Sequence, residues 1–230
     1  MNINYSEENE ITNFREICMG SMKKGVLYRG SYPVFKTDKE RDRLYEKLVL
    51  EAGIGCVINL AGNADDLEVL ARLAPWYNSL LRDNRIIGLG IEFEFDFLDQ
   101  FQYEVFNYKL RQAFEFLIGH SGPYLVHCNA GVDRTGFVAA IVGLLFGANL
   151  DDVIYEYLLS YGENFAQARH LELRHITGRN IYGQINAVVD REIEDSKNLQ
   201  ANIEKYFLKG IGLSKERLEM LKKILGGAPI

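Results

Sequence analysis

The sequence predicts an α/β fold, in which a central parallel sheet is flanked by helices and followed by a helical C-terminal tail. Three observations favour this fold. Short apolar segments of strand length alternate with helical patterns up to about Gly147, as expected for parallel strands joined by helices. Residues 54–60 and 124–127 are apolar along almost their whole length, which is typical of strands buried on both faces of a sheet. Beyond Gly147 only helical patterns occur.

Local signals place the elements in order along the chain. Strands are predicted over residues 26–28, 54–60, 85–91 and 124–127. Helices are predicted over residues 37–51, 64–74, 99–118, 135–146, 151–161, 182–194, 199–209 and 214–225. Thr37 with Glu40 forms a capping box at the first helix, and Pro75 ends the second. Gly119 ends the third helix, and Ser214 is the expected N-cap of the last.

Length and composition favour a single domain. The chain has 230 residues, of which 47% are hydrophobic and 25% charged, and these values are ordinary for a folded domain. We expect one unit over residues 1–230. It is divided into an N-terminal arm without a clear period (1–25), an α/β core (26–178) and a helical tail packed on that core (179–230).

Charge and cysteine usage exclude several classes of protein. The net charge of −6 makes the overall field unfavourable for binding nucleic acid or an anionic membrane. Cys18, Cys56 and Cys128 form no CxxC pair, and His170 and His175 have no third ligand nearby, so we expect no metal site and no disulfide framework. The first twenty residues lack the apolar stretch of a signal peptide. We therefore expect a cytoplasmic protein without a cofactor; the oligomeric state is left open.

The segment that carries chemistry is HCNAGVDRTG, residues 127–136, between an apolar strand and an apolar helix. Ligands bind at such positions in open α/β sheets. Ala130 and Gly131 allow consecutive backbone N–H groups to converge on an anion, and the helix that follows points its positive dipole end to the same place. Arg134 supplies a guanidinium that can hold two phosphate oxygens. Cys128 lies in this positive field, which stabilises a nucleophilic thiolate. The segment thus indicates phosphoryl transfer through a cysteinyl-phosphate.

These residues carry a resemblance to a known family. Cys128 through Arg134 resembles the CX5R signature of the protein tyrosine phosphatases, and HCxxGxxRTG is similar to their cysteine-dependent, metal-free branch. Segments 27–31, 56–60 and 203–214 are similar to bacterial tyrosine and dual-specificity phosphatases of broad specificity, so the likeness covers about residues 26–225. The resemblance implies that Cys128 is the nucleophile, that Arg134 binds phosphate and that Thr135 eases departure of the thiolate. The resemblance also implies that His127 braces the loop and tunes the cysteine; the alternative is a plain buried histidine. The residues expected around the phosphate are Asn129, Ala130, Gly131, Val132, Asp133 and Arg134.

The family also requires a carboxylic acid that protonates the leaving oxygen. The resemblance places it about thirty residues before the cysteine, after the preceding strand. Asp96 fits best, and Asp99 is the competitor, although Asp99 alternatively caps the long helix. Glu92 and Glu94 are further candidates. Gln184 is a candidate for positioning the water of the second step.

The resemblance leaves the substrate class open. The sequence has no Trp-Pro-Asp triplet, and Val132 stands where many relatives acting on phosphoinositides carry a lysine. We expect a phosphorylated protein, phosphotyrosine first, or a small phosphomonoester as substrate. The alternatives are a phosphoinositide or inositol-polyphosphate phosphatase, with basic residues such as Arg169, Arg174 and Arg179 lining the pocket, and an inactive phosphate-binding module. Cys56 is expected in the core, although some family members pair such a cysteine with the nucleophile.

Overall fold

A five-stranded sheet forms the centre of the molecule. The computed structural model describes residues 7–35, 37–92, 100–164, 181, 183–185 and 198–227. The strands are β1 (Arg15–Glu16), β2 (Leu27–Gly30), β3 (Cys56–Asn59), β4 (Ile86–Gly88) and β5 (Tyr124–His127), in the spatial order β1-β2-β5-β3-β4. β1 pairs antiparallel with β2, and the other three pairings are parallel. The predicted α/β fold with a parallel central sheet is therefore confirmed, with one short antiparallel strand added at an edge.

Helices cover both faces of this sheet. In the described residues they are α1 (Glu7–Thr12), α2 (Lys39–Glu51), α3 (Ala64–Leu73), α4 (Pro75–Arg82), α5 (Gln100–Gly119), α6 (Asp133–Leu145), α7 (Leu150–Leu158), α8 (Leu199–Lys205) and α9 (Lys215–Leu225). α7 continues into a 3₁₀ segment (Leu159–Asn164), and α8 into a π-helical turn (Tyr206–Gly210). Residues 181 and 183–185 are helical, and the remainder of the predicted helix 182–194 lies outside the described residues. None of the helices described is long and apolar enough to cross a bilayer.

Capping interactions explain where the helices begin. α2 starts after Asp38 rather than at Thr37, because the Asp38 side chain accepts a hydrogen bond from the Arg41 backbone N–H at 3.0 Å. Pro75 ends α3, as predicted, but it also begins α4, which was not predicted. Proline suits the first position of a helix because its missing N–H would have no partner there. Ser214 caps α9 as predicted.

The alternation of side chains along the strands divides the core into two parts. Val57 and Leu125 point to one face, where they pack with apolar residues of α2, α3 and α4. The adjacent Ile58 and Val126 point to the opposite face and pack with α5, α6, α8 and α9. This division follows from the two-residue repeat of a strand. Because both faces are covered, β3 and β5 are buried along their whole length.

The N-terminal arm belongs to the core. Phe14, Ile17 and Met19 are at most 4% exposed, and β1 adds this segment to the sheet with Arg15 opposite Arg29. A strand of two residues is too short to produce an alternating pattern, so no sequence signal marks it. The arm therefore contributes residues that can contact the loop after β5.

Candidate active site

The HCNAGVDRTG segment lies at the carboxyl edge of the sheet. β5 ends at His127, which is in register with Gly30 of β2 on one side and with Asn59 of β3 on the other. Three parallel strands therefore end at the same level, and the loop after β5 rises from the middle one. Residues 128–132 connect β5 to α6. Ligands bind at this edge of open α/β sheets, so the structure places the loop where the sequence predicted a site.

The backbone of this loop is held from outside through its carbonyl groups. The Tyr32 N–H donates to the Asn129 carbonyl at 2.7 Å, and the Asn13 side-chain amide donates to the Ala130 carbonyl at 3.0 Å. The next two carbonyls, of Gly131 and Val132, accept hydrogen bonds from Arg29. In a trans peptide the N–H points opposite to the carbonyl. Four outward carbonyls therefore turn the following N–H groups inward, where they can bind an anion.

Gly131 is required by the shape of the loop. Its φ is +73°, a left-handed conformation that favours glycine. A Cβ at this position would lie 2.5 Å from the Gly30 carbonyl oxygen, which is closer than a real contact allows. Only glycine meets both constraints, because the loop passes directly over the end of β2 at this position.

A buried ion cluster supports Arg29. Arg29 and Arg15 both pair with Glu156 of α7, and all three side chains are at most 3% exposed. Arg15 Nε donates to the Glu156 carboxylate at 2.9 Å, and Arg29 donates to its other oxygen. Both arginines also donate to the Ser160 hydroxyl, at 2.9 and 3.1 Å. Burial raises the pKa of Glu156, but the two positive charges outweigh that effect and leave the pKa below its usual value. The carboxylate is therefore ionised and fixes Arg29 beneath the loop.

Cys128 and Thr135 are both buried beside the N-terminus of α6. Cys128 is 2% exposed, and Thr135 is fully buried in the first turn of the helix. The Thr135 hydroxyl has no hydrogen-bond partner among the described residues. A thiolate at the start of a helix is stabilised by the positive end of the helix dipole. The position of Cys128 therefore agrees with a nucleophile.

His127 is neutral in this structure. Its ring is fully buried between Tyr32 and Tyr77, with ring centroids 6.3 and 6.2 Å away. Burial lowers the pKa of His127 to about 4, so at pH 7 the ring carries no charge to attract a thiolate. Its Nδ1 lies 3.3 Å from the Cys128 carbonyl and must carry the proton in that hydrogen bond, because a carbonyl only accepts. This contact favours the role of brace.

Arg134 connects the loop to the segment that contains the acid candidates. Its guanidinium is half-buried, and Nη1 donates to the Ile91 carbonyl at 2.7 Å. Ile91 is itself buried and stands just before residues 93–99. The expectations for Asp96, Asp99 and Glu94 lie outside the described residues, and Glu92 is exposed. A guanidinium has five N–H donors, so the bond to Ile91 leaves donors for a phosphate.

The other loop residues differ in exposure. Asn129 and Ala130 are exposed, and Val132 is half-buried and packs against the core. Asp133 accepts a hydrogen bond from the Tyr157 hydroxyl at 3.1 Å, which draws its carboxylate toward α7. The expectations for His170, His175, Arg169, Arg174 and Arg179 lie outside the described residues.

The strand register separates Cys56 from Cys128. Cys56 is opposite Tyr124, four residues before Cys128 on the neighbouring strand. At about 3.3 Å per residue this offset is about 13 Å, whereas a disulfide needs Cα atoms within about 7 Å. Both cysteines are free and buried. Cys56 is thus a core residue, as expected.

Sequence reasoning missed most of the residues that hold the loop. Asn13, Arg15, Tyr32 and Glu156 received no role, and Arg29 was not connected to the loop. One signal was present: Arg29 and Glu156 are charged residues within apolar surroundings, LYRG and VIYEYL. Charged side chains are almost never fully buried unless paired, so each residue required a partner. Gln184 is 1% exposed on a helical segment, and its proposed role stays a prediction.

Comparison with known proteins gives the family. A model of the tyrosine phosphatase family matches residues 95–226, more than half of the chain, whereas no curated protein matches the sequence. Among solved structures, the core catalytic domain of the PP-IP phosphatase SIW14 from S. cerevisiae is similar over 75% of this chain and 98% of its own, with 15% identity and a TM-score of 0.40. A second structure, of the Siw14 catalytic core, covers 70% of this chain and 88% of its own, with 15% identity and a TM-score of 0.39. Because the family model matches more than half of the chain, the chain belongs to the tyrosine phosphatase family, whose members are phosphatases, as the resemblance at the loop predicted.

Proposed function

We propose that this phosphatase hydrolyses phosphomonoesters through a cysteinyl-phosphate on Cys128, and that phosphotyrosine in proteins is its preferred substrate. One observation carries the proposal. Cys128 opens a loop whose four consecutive carbonyls are held outward, and the loop leads into the N-terminus of α6. The inward N–H groups and the helix end then favour a dianionic phosphate directly above the sulfur.

In the first step the Cys128 thiolate attacks phosphorus, and the bond to the leaving oxygen breaks. Arg134 and the loop N–H groups hold the three non-bridging oxygens. Asp96 protonates the leaving oxygen, so the alcohol or phenol departs as a neutral molecule. In the second step water attacks phosphorus, the same carboxylate takes its proton, and the sulfur leaves as a thiolate. The buried Thr135 hydroxyl donates to the departing thiolate. No metal takes part in either step.

Two features favour a phosphotyrosine substrate over a polyphosphorylated inositol. Val132 places no positive charge on the loop, and it packs partly into the core. The depression beside the loop contains the carboxylate of Asp66. A second or third phosphate on the same ring would meet no compensating cation at these positions, and like charges repel.

The test combines one substitution with a substrate panel. Cys128→Ser should reduce turnover of an aryl phosphate to below a few per cent while vanadate still binds, because serine is a much weaker nucleophile and the loop is unchanged. Cys18→Ser, at a half-buried position, is the matched control and should behave as wild type. Retained turnover in Cys128→Ser would refute the mechanism.

The panel contains phosphotyrosine peptides, phosphoserine peptides, phosphoinositides and phytate. We expect the highest kcat/KM for phosphotyrosine peptides. Faster hydrolysis of phytate or a phosphoinositide would replace the proposed substrate by the inositol class and leave the cysteinyl-phosphate mechanism in place. Absence of turnover with every substrate, together with phosphate binding, would identify an inactive binding module.

A further inference from the structure

We propose that the depression beside the loop of residues 128–132, the phosphate loop, is a subsite for residues that flank phosphotyrosine in a peptide, and that it selects an apolar residue at one flanking position and a basic residue at an adjacent one. This inference rests on the proposed function and names the sequence context of its substrate. The depression has a volume of about 620 Å³, enough for one large side chain and part of the peptide backbone.

The depression is continuous with the phosphate loop. Residues 129 and 130 of the loop form one side of it, and Tyr32 and Phe35 form an aromatic wall. Ala61 and Asp66, from the segment after β3 and the start of α3, also line it. A peptide whose phosphotyrosine occupies the loop can therefore place one of its neighbouring residues over this depression.

The aromatic wall is fixed before any substrate arrives. Tyr32 packs edge-on against His127 and Phe35, with centroid distances of 6.3 and 6.4 Å, and its N–H donates to the Asn129 carbonyl. The Arg41 guanidinium stacks 4.4 Å from the Phe35 ring and donates to the Tyr32 carbonyl at 2.6 Å. A preformed apolar wall loses little conformational entropy on binding. This wall suits an aliphatic or aromatic side chain.

The charge of the depression is negative. Asp66 is exposed, and it is the ionisable carboxylate among the described lining residues, which include no lysine or arginine. Arg41 is 5% exposed and does not line the depression. A basic residue in the peptide therefore meets an exposed carboxylate, whereas an acidic residue or a second phosphate is repelled.

The experiment uses a position-scanned set of phosphotyrosine peptides with Leu, Ala, Lys or Glu at each of three positions on either side. The readout is kcat/KM for each peptide divided by kcat/KM for a small aryl phosphate, which cancels any general change in the enzyme. At one flanking position wild type should prefer Leu to Ala by about fivefold, and at an adjacent position Lys to Glu. Both preferences should appear in KM rather than kcat, because the subsite is remote from the reacting bonds.

Three variants assign these preferences. Asp66→Asn should reduce the Lys-over-Glu preference by about two- to fivefold, as expected for an exposed ion pair, and Phe35→Ala should remove most of the Leu-over-Ala preference. Asp65→Asn removes the same charge from the same helix turn but does not line the depression, so it should retain both preferences.

Equal loss in Asp65→Asn and Asp66→Asn would overturn the subsite, since the effect would then be one of net charge. If wild type hydrolyses the aryl phosphate but shows the same kcat/KM for all the peptides, this inference is overturned and the proposed function is not. Failure of wild type to hydrolyse both the peptides and the aryl phosphate would refute the proposed function itself.

Discussion

Replacing Glu156 by glutamine tests how the phosphate loop is supported. Glutamine has nearly the same shape and still accepts one hydrogen bond, so the substitution removes little more than the charge. It leaves Arg15 and Arg29 buried with no carboxylate between them. Breaking a buried ion pair by removing one partner costs about 3–5 kcal/mol. That is a large share of the roughly 5–15 kcal/mol by which a domain is stable.

The loss should be visible in both unfolding and catalysis. For a chain of this size about 1 kcal/mol lowers Tm by about 2–4 °C, so Glu156→Gln should lower Tm by roughly 6–20 °C. Arg29 also donates to the Gly131 and Val132 carbonyls, and a displaced loop reduces kcat by up to about 10²-fold. Thermal and urea unfolding, followed by aryl phosphate kinetics on the folded fraction, measure the two effects.

Two further variants make the result specific. Asp151→Asn removes an exposed carboxylate from the same helix and should change the free energy of unfolding by less than about 0.5 kcal/mol. Adding Arg15→Met to Glu156→Gln removes one of the two buried positive charges that lose this carboxylate, so part of the stability should return. A loss below about 1 kcal/mol in Glu156→Gln would show that the cluster does not support the loop.

The remaining predictions concern the acid, the loop and pH. Asp96→Asn should slow phosphotyrosine hydrolysis by about 10²–10⁴-fold and an activated aryl phosphate much less, with Asp99→Asn near wild type; the reverse pattern would make Asp99 the acid. Val132→Lys should raise kcat/KM for polyphosphorylated substrates by about fivefold, since the lysine stem can lie on the core while the amine reaches solvent; unchanged selectivity would contradict this. Burial keeps His127 neutral, with a pKa of about 4, whereas an unfolded histidine has a pKa of about 6.5. The unfolded state therefore binds more protons between these values. The free energy of unfolding should fall by up to about 3 kcal/mol as pH decreases from 6.5 to 4, and a flat urea-midpoint profile over that range would refute it.

Much of the fold was present in local sequence patterns. The apolar runs at β3 and β5 identify buried parallel strands because both of their faces must be covered. Ser214 marks a helix start because its side chain accepts a hydrogen bond from the first turn. Pro75 marks a helix boundary because it has no backbone N–H to donate. The edge strand β1 was not predictable, because a two-residue strand is defined only by its partner.

The candidate active site shows the same contrast between features set by local sequence and features set by distant residues. Cys128, Gly131 and Arg134 lie within seven consecutive residues, so the sequence by itself was enough to locate this loop and to predict its chemistry. The supports of that loop come from distant parts of the chain, with Arg29 102 residues before Gly131, and 127 residues before its partner Glu156. No local sequence pattern indicates such pairings, because they form only when the sheet and α7 pack together. The tertiary structure alone decided which buried charges meet, and which side chains line the depression beside the loop.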